Sequence, residues 1–217
     1  MIRGIIFDLD GTTIYTIEDL TDSVNLALKE FGFPSKSIAE VMAAIGRGSK
    51  KLIEDVTPEG TEKEIQEAVL KRYIEIYKEN LDIKSKAYEG MPELLKTLKK
   101  KGLKLAVNSN KPDDMTKQLI RKCYPDIDFT AVYGSRADVP NKPDPYTANE
   151  IAGMMGLSNS EIMYIGDSDV DIKTAINAGM RSCGCLWGYR DLDNLKQAGA
   201  EYLVEKPEEI LRYIDEQ

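Results

Sequence analysis

The chain has 217 residues, 42% hydrophobic and 30% charged, which suffices for a buried core and is ordinary for a globular protein. Its 37 Asp and Glu residues outweigh 29 Lys and Arg, and the resulting formal charge of −8 repels nucleic acid and anionic membrane surfaces. It contains no histidine, which removes the commonest general base and the usual nitrogen ligand of zinc.

The first strand signal is the apolar run from Ile2 to Phe7, suited to a sheet buried on both faces. It ends abruptly in Asp8-Leu9-Asp10-Gly11-Thr12. The run is too short for a signal peptide, and no later stretch is apolar enough for a bilayer span. The three cysteines, Cys123, Cys183 and Cys185, do not form the even, dense set of a secreted scaffold. A reducing cytoplasm is therefore the expected location.

From Thr16 the pattern turns helical. Leu20, Val24, Ala27, Leu28 and Phe31 recur at helical spacing until Gly32 and Pro34. A second helical pattern begins near Thr61, where Glu64 suggests a capping box, with Ile65, Ala68, Val69, Arg72, Tyr73 and Ile76 on one side. No strand signal lies between them, so residues 16–81 read as a helical cap domain inserted into a core of residues 1–15 and 82–217.

Beyond Met91 helices and strands alternate. Helices are expected over Pro92–Lys101, Asp113–Cys123, Pro145–Met155 and Asp169–Ala178, and strands over Leu103–Val107, Ala131–Tyr133, Ile162–Ile165 and Arg181–Leu186. This rhythm predicts an α/β fold, a doubly wound, Rossmann-like parallel sheet that binds ligands at the carboxyl ends of its strands.

Polar residues gather at those ends: Asp8 and Asp10; Asn108, Ser109 and Asn110; Lys142; and Asp167, Asp169 and Asp171. Carboxylates brought together repel one another unless a cation sits among them, and hard oxygen donors without His or Cys favour Mg2+ over zinc. Asp8 can attack phosphorus covalently, and Asp10 can protonate the leaving oxygen and then activate water. Ser109, the backbone N–H groups after it and Lys142 can hold the phosphoryl oxygens. In the cap, Gly46-Arg47-Gly48 forms a turn between helical segments that can carry Arg47 to the substrate. A small carboxylate there would want a cation, and Arg47 and Lys50 are the nearest candidates.

Asp8-Leu-Asp-Gly-Thr12, Ser109, Lys142-Pro143 and Gly166-Asp-Ser-x-x-Asp171 together resemble the haloacid dehalogenase superfamily of aspartate-nucleophile phosphatases, over essentially the whole chain. The resemblance implies Asp8 as nucleophile and Asp10 as acid and base. It implies Mg2+ on Asp8, the Asp10 carbonyl and Asp167, with Asp171 in support, and phosphoryl contacts from Ser109, Asn110 and Lys142. Thr16-Ile-Glu-Asp-Leu, Ile45-Gly-Arg-Gly-Ser, Asn108-Ser-Asn-Lys-Pro112 and Trp187-Gly-Tyr189 are most similar to the phosphoglycolate phosphatases. Thr13 and Tyr15 depart from the Leu and Asp usual there. The expected substrate is a small phosphorylated metabolite, with 2-phosphoglycolate first. Pyrophosphatase, nucleotidase and sugar-phosphate phosphatase or phosphomutase are alternatives within the superfamily, although mutases usually use a cap histidine. A phospho-aspartate signalling or binding module is the alternative of another class, and such modules lack so large a helical insertion.

Overall fold

A computed structural model of the chain describes residues 1–215. Strand β1 (Gly4–Phe7) leads through a two-residue strand β2 (Ile14–Tyr15) into four helices, α1 (Ile17–Glu30), α2 (Ile38–Ala44), α3 (Ser49–Val56) and α4 (Lys63–Asn80). A second two-residue strand, β3 (Lys86–Ala87), returns the chain to α5 (Met91–Lys100), β4 (Lys104–Pro112), α6 (Asp113–Cys123) and β5 (Ala131–Ser135). There follow α7 (Tyr146–Met155), β6 (Ile162–Gly166), α8 (Asp169–Ala178), β7 (Arg181–Cys185), α9 (Leu192–Ala198), β8 (Tyr202–Val204) and α10 (Ile210–Asp215).

Six strands form one parallel sheet in the order β5-β4-β1-β6-β7-β8. Strand β1 is central and wholly buried, as the unbroken apolar run Ile5-Ile6-Phe7 requires. The chain steps outward from β1 through β4 to β5, then crosses back to β6 on the other side. That reversal opens a crevice at the carboxyl ends of β1 and β6. Helices α1 to α4 make the cap above it. The doubly wound core with a helical cap agrees with the expected fold class. Among the described residues no helix is long and apolar enough to cross a membrane.

Helix α1 buries Leu20, Val24, Ala27 and Leu28, the stripe its sequence announces. Helix α4 is rotated from the expected stripe: its buried face is Val69, Tyr73, Ile76 and Tyr77, while Ile65 is exposed and Arg72 pairs with Glu30 on α1. The capping box expected at Thr61 and Glu64 does not form. The Thr61 hydroxyl donates instead to the Pro58 carbonyl (2.6 Å), and Glu62 is the N-cap. The strand expected over Leu103–Val107 runs on to Pro112, with an irregularity in its pairing between Asn108 and Pro112.

The two chain crossings between core and cap lie side by side, because β2 and β3 pair antiparallel through Ile14 with Ala87 and Tyr15 with Lys86. Asp19, buried in the first turn of α1, fastens the returning strand. Its carboxylate accepts from the Lys84 N–H (3.0 Å), the Ser85 N–H (2.8 Å) and the Ser85 hydroxyl (2.7 Å). Removing it leaves part-buried donors without their partner, together worth about 1–3 kcal/mol. Asp19→Ala should therefore lower the thermal midpoint by about 4 °C or more. An unchanged melting curve would show that this anchor carries no stability.

Candidate active site

The sheet register sets the strand ends level. Phe7 pairs with Val107 on one side and with Ile165 on the other. Asp8, Asn108 and Gly166 therefore stand level across three adjacent strands, at the edge where the strand order reverses. After Asp8 the chain turns sharply, with the N–H groups of Thr12, Thr13 and Ile14 all directed to the Leu9 carbonyl (3.0–3.2 Å). The turn returns Asp10 toward the cap.

Lys142 Nζ reaches into the crevice and lies 2.6 Å from Asp8 Oδ1 and 2.6 Å from Asp171 Oδ1. The other oxygen of Asp171 accepts from the Ser168 N–H (3.1 Å) and hydroxyl (2.7 Å), tying it to the first turn of α8. Asp167 Oδ2 accepts from the Tyr189 N–H (2.7 Å), and its Oδ1 from the Thr12 hydroxyl (3.3 Å). Two glycines permit this crowding. A Cβ on Gly188 would lie 2.2 Å from the Asp167 Cβ, and one on Gly166 would lie 2.2 Å from the Asp171 Cβ.

Asp8, Asp167 and Asp171 are all buried and place one oxygen each within 4.8 Å of one another. Burial, the largest cause, raises the Asp8 pKa well above the carboxylate range; Lys142 opposes it, and Asp171 and Asp167 add to it. Burial, then Asp171, pushes Asp167 up to about 7, against the Tyr189 N–H. Burial also works against the Lys142 ammonium, but Asp171 and Asp8 outweigh it and hold its pKa well above the ordinary value. Three carboxylates thus face one buried ammonium, and this all-oxygen cluster suits a hard divalent cation, whose charge would let all three ionise.

Above the cluster is a cavity of about 50 Å³. Its floor includes Asp8, Ser109, Lys142 and Asp167, and its roof includes Leu20, Leu52, Tyr73 and Tyr77 from the cap. Asp10 stands at its side, accepting from the Thr16 hydroxyl at the start of α1 (2.6 Å), with Lys111 Nζ 3.0 Å from the same oxygen. Core groups hold the cap down. Arg190 donates to the carbonyls of Met42 (2.6 Å), Ala43 (3.2 Å) and Ile45 (2.8 Å) at the end of α2, and Asn110 Nδ2 donates to the Gly46 carbonyl (2.9 Å).

The sequence pattern describing haloacid dehalogenase-like hydrolases matches residues 5–185. The chain belongs to that family. The phosphoglycolate phosphatase of Mannheimia succiniciproducens is 33% identical to this hydrolase over 215 residues, 96% of each chain. That of Aquifex aeolicus is 30% identical over 213 residues, 98% of this chain and 97% of its own. Among solved structures, a predicted phosphoglycolate phosphatase from Haemophilus somnus 129pt superimposes with a TM-score of 0.89 at 29% identity, covering 98% of both chains.

In this hydrolase Asp8, Asp10, Ser109, Asn110, Lys142 and Asp167 all border the one cavity, and Asp171 supports Lys142 beneath it. The Asn110 side chain is fully engaged, bonding the Lys142 N–H (2.9 Å) and carbonyl (3.1 Å) as well as Gly46, so it positions Lys142. Asp169 is not in the cluster; it pairs with Lys173 (2.6 Å) on the outer side of α8. Arg47 does not border the cavity. Its side chain is 53% exposed and faces Asp55 (3.5 Å); it sits between two glycines of positive φ, Gly46 (105°) and Gly48 (88°), and Ser49 borders the cavity instead. Lys50 is likewise exposed.

Sequence reasoning missed Lys111, Tyr77, Tyr189 and Arg190. Lys111 lies two residues past Ser109, Tyr77 one helical turn past Tyr73, and the other two follow Trp187-Gly188. Lys111 and Tyr189 lay inside the stretches Asn108–Pro112 and Trp187–Tyr189 already singled out, without a role given to them, and Tyr77 and Arg190 adjoined such segments. Arg190→Ala removes three contacts that seat the cap, so KM for a small phosphate ester should rise about tenfold, the scale of one charge-assisted bond. Steady-state kinetics with an unchanged KM would show that the cap closes without Arg190.

Proposed function

We propose that this hydrolase is a Mg2+-dependent phosphatase of small phosphorylated metabolites, with 2-phosphoglycolate as its first candidate substrate and an aspartyl-phosphate on Asp8 as intermediate. The observation that carries this reading is the Asp8 carboxylate, held by Lys142 at the floor of a cavity between core and cap, with Asp10 at its side. The candidate substrate comes from the relatives named above and from the cavity, whose small volume suits a short leaving group.

Asp8 attacks phosphorus and displaces the ester oxygen, while Asp10 gives that oxygen its proton. Asp10 then takes a proton from water, which attacks the same phosphorus, releases phosphate and restores Asp8. Ser109 and the N–H groups after it hold one phosphoryl oxygen and Lys142 another, where charge develops. Asp8, the Asp10 backbone carbonyl and Asp167 would hold Mg2+, with Asp171 in support; the ion supplies positive charge against the phosphoryl oxygens. The seated cap keeps bulk water from the acyl phosphate. Three free cysteines, two of them buried, accord with action in a reducing cytoplasm.

Asp8→Asn should abolish turnover, and Asp10→Asn should lower kcat by a factor of ~10² to 10⁴, the usual worth of general acid–base catalysis. Excess chelator should silence the wild type. Turnover by Asp8→Asn at more than about a tenth of the wild-type rate, well short of the loss that removing a nucleophile brings, would overturn the assignment.

A further inference from the structure

Three cationic side chains border the cavity: Lys142, Arg190 and Lys111. Two are committed. Lys142 lies between Asp8 and Asp171, with its remaining donor given by the phosphatase reading to a phosphoryl oxygen, and the Arg190 guanidinium is spent on three carbonyls of the cap. The cap's contribution to the lining is apolar or neutral, including Leu20, Ile45, Ser49, Leu52, Tyr73 and Tyr77. Among the described residues, no charged cap side chain borders the cavity.

Lys111 is different. Its side chain is only 2% exposed, and its ammonium has two partners: Asp10 Oδ1 at 3.0 Å and the Tyr77 hydroxyl at 2.7 Å. The Tyr77 ring also lies 4.5 Å from Nζ. Burying an ammonium is costly unless it is paired, and a lysine carries three donors. Two donors are used, and the third remains for a ligand in the cavity. Burial, then the charge of Asp10, pushes the Tyr77 pKa well above its ordinary value, so it stays a neutral phenol accepting from Lys111.

We propose that Lys111 determines substrate specificity by receiving an anionic group, a carboxylate, carried on the leaving side of a short phosphate ester. The proposal rests on the phosphatase reading, with Asp10 beside the ester oxygen. A carboxylate joined to that oxygen through one carbon reaches the neighbourhood of Asp10, and Lys111 stands 3.0 Å from Asp10. The cation that reads the leaving group thus comes from the end of β4 in the core. The cap aims it through Tyr77, which links recognition of the anion to cap closure.

The test compares kcat/KM for 2-phosphoglycolate and for 2-hydroxyethyl phosphate, which replaces the carboxylate by a neutral hydroxymethyl group. Wild type should prefer the carboxylate by about 30-fold or more, the scale of one charge-assisted hydrogen bond. Lys111→Gln should cut that preference by about tenfold or more, whatever it does to both rates. Tyr77→Phe, which keeps the charge but removes its guide, should cut it about threefold or more. Should Lys111→Gln fail to fold by circular dichroism, the Tyr77→Phe ratio decides. A wild-type preference below about threefold, or an unaltered preference in the folded variants, would overturn the role of Lys111 and leave the phosphatase reading intact. Hydrolysis of neither ester by wild type would overturn the role of Lys111, and failure to hydrolyse p-nitrophenyl phosphate as well would overturn both.

Discussion

Lys142 Nζ stands 2.6 Å from Asp8 and 2.6 Å from Asp171, in a crevice where all three groups are buried. A buried ammonium between two carboxylates offsets part of the desolvation of each, and removing it would leave uncompensated charge. Its surroundings are arranged to hold it. Asn110 bonds both the N–H and the carbonyl of Lys142, Ser168 fixes the second oxygen of Asp171, and Tyr189 fixes Asp167. The glycines at 166 and 188 leave room where a Cβ would collide with these carboxylates. Even so, one ammonium is too little charge for three carboxylates: burial first, and then the neighbouring charge of Asp171, raise the pKa of Asp167. A cluster that burial strains in this way gains from any ligand that brings positive charge.

The sheet is what makes the cluster possible. Level register at Phe7, Val107 and Ile165 delivers residues distant in sequence to one edge, and the reversal of strand order keeps that edge open. The cap then closes it through contacts made mostly by core side chains, with Arg190, Asn110 and Lys111 each reaching upward. Closure and chemistry therefore share residues. Asn110 touches both the cap and Lys142, and Lys111 touches both the cap and Asp10.

Much of this was legible in the sequence. Apolar runs that stop at acids, as Ile5-Ile6-Phe7-Asp8 and Tyr164-Ile165-Gly166-Asp167 do, announce strand ends, and the alternation of elements brings those ends together. Features that depend on exact backbone course were not legible. Arg47 sits in a turn between two glycines of positive φ, Gly46 and Gly48, whose course no periodicity records. Lys111 turns inward within the irregular stretch of β4 between Asn108 and Pro112, where alternation no longer tells the faces apart. Strands β2 and β3, two residues each, are too short for any period, yet they fix where the chain crosses between core and cap. The sequence reading therefore sought the cation for the leaving group on the cap, whereas the buried one lies on the core.

The claim on which all of this rests is that Asp8 becomes covalently phosphorylated. Rapid acid quench of wild type during turnover of 2-phosphoglycolate, followed by peptide mapping by mass spectrometry, addresses it directly. The account predicts one added phosphoryl group, on the peptide carrying Asp8 and at that residue. A phosphoryl group on any other side chain, or steady turnover with no phosphoenzyme at any quench time, would contradict it.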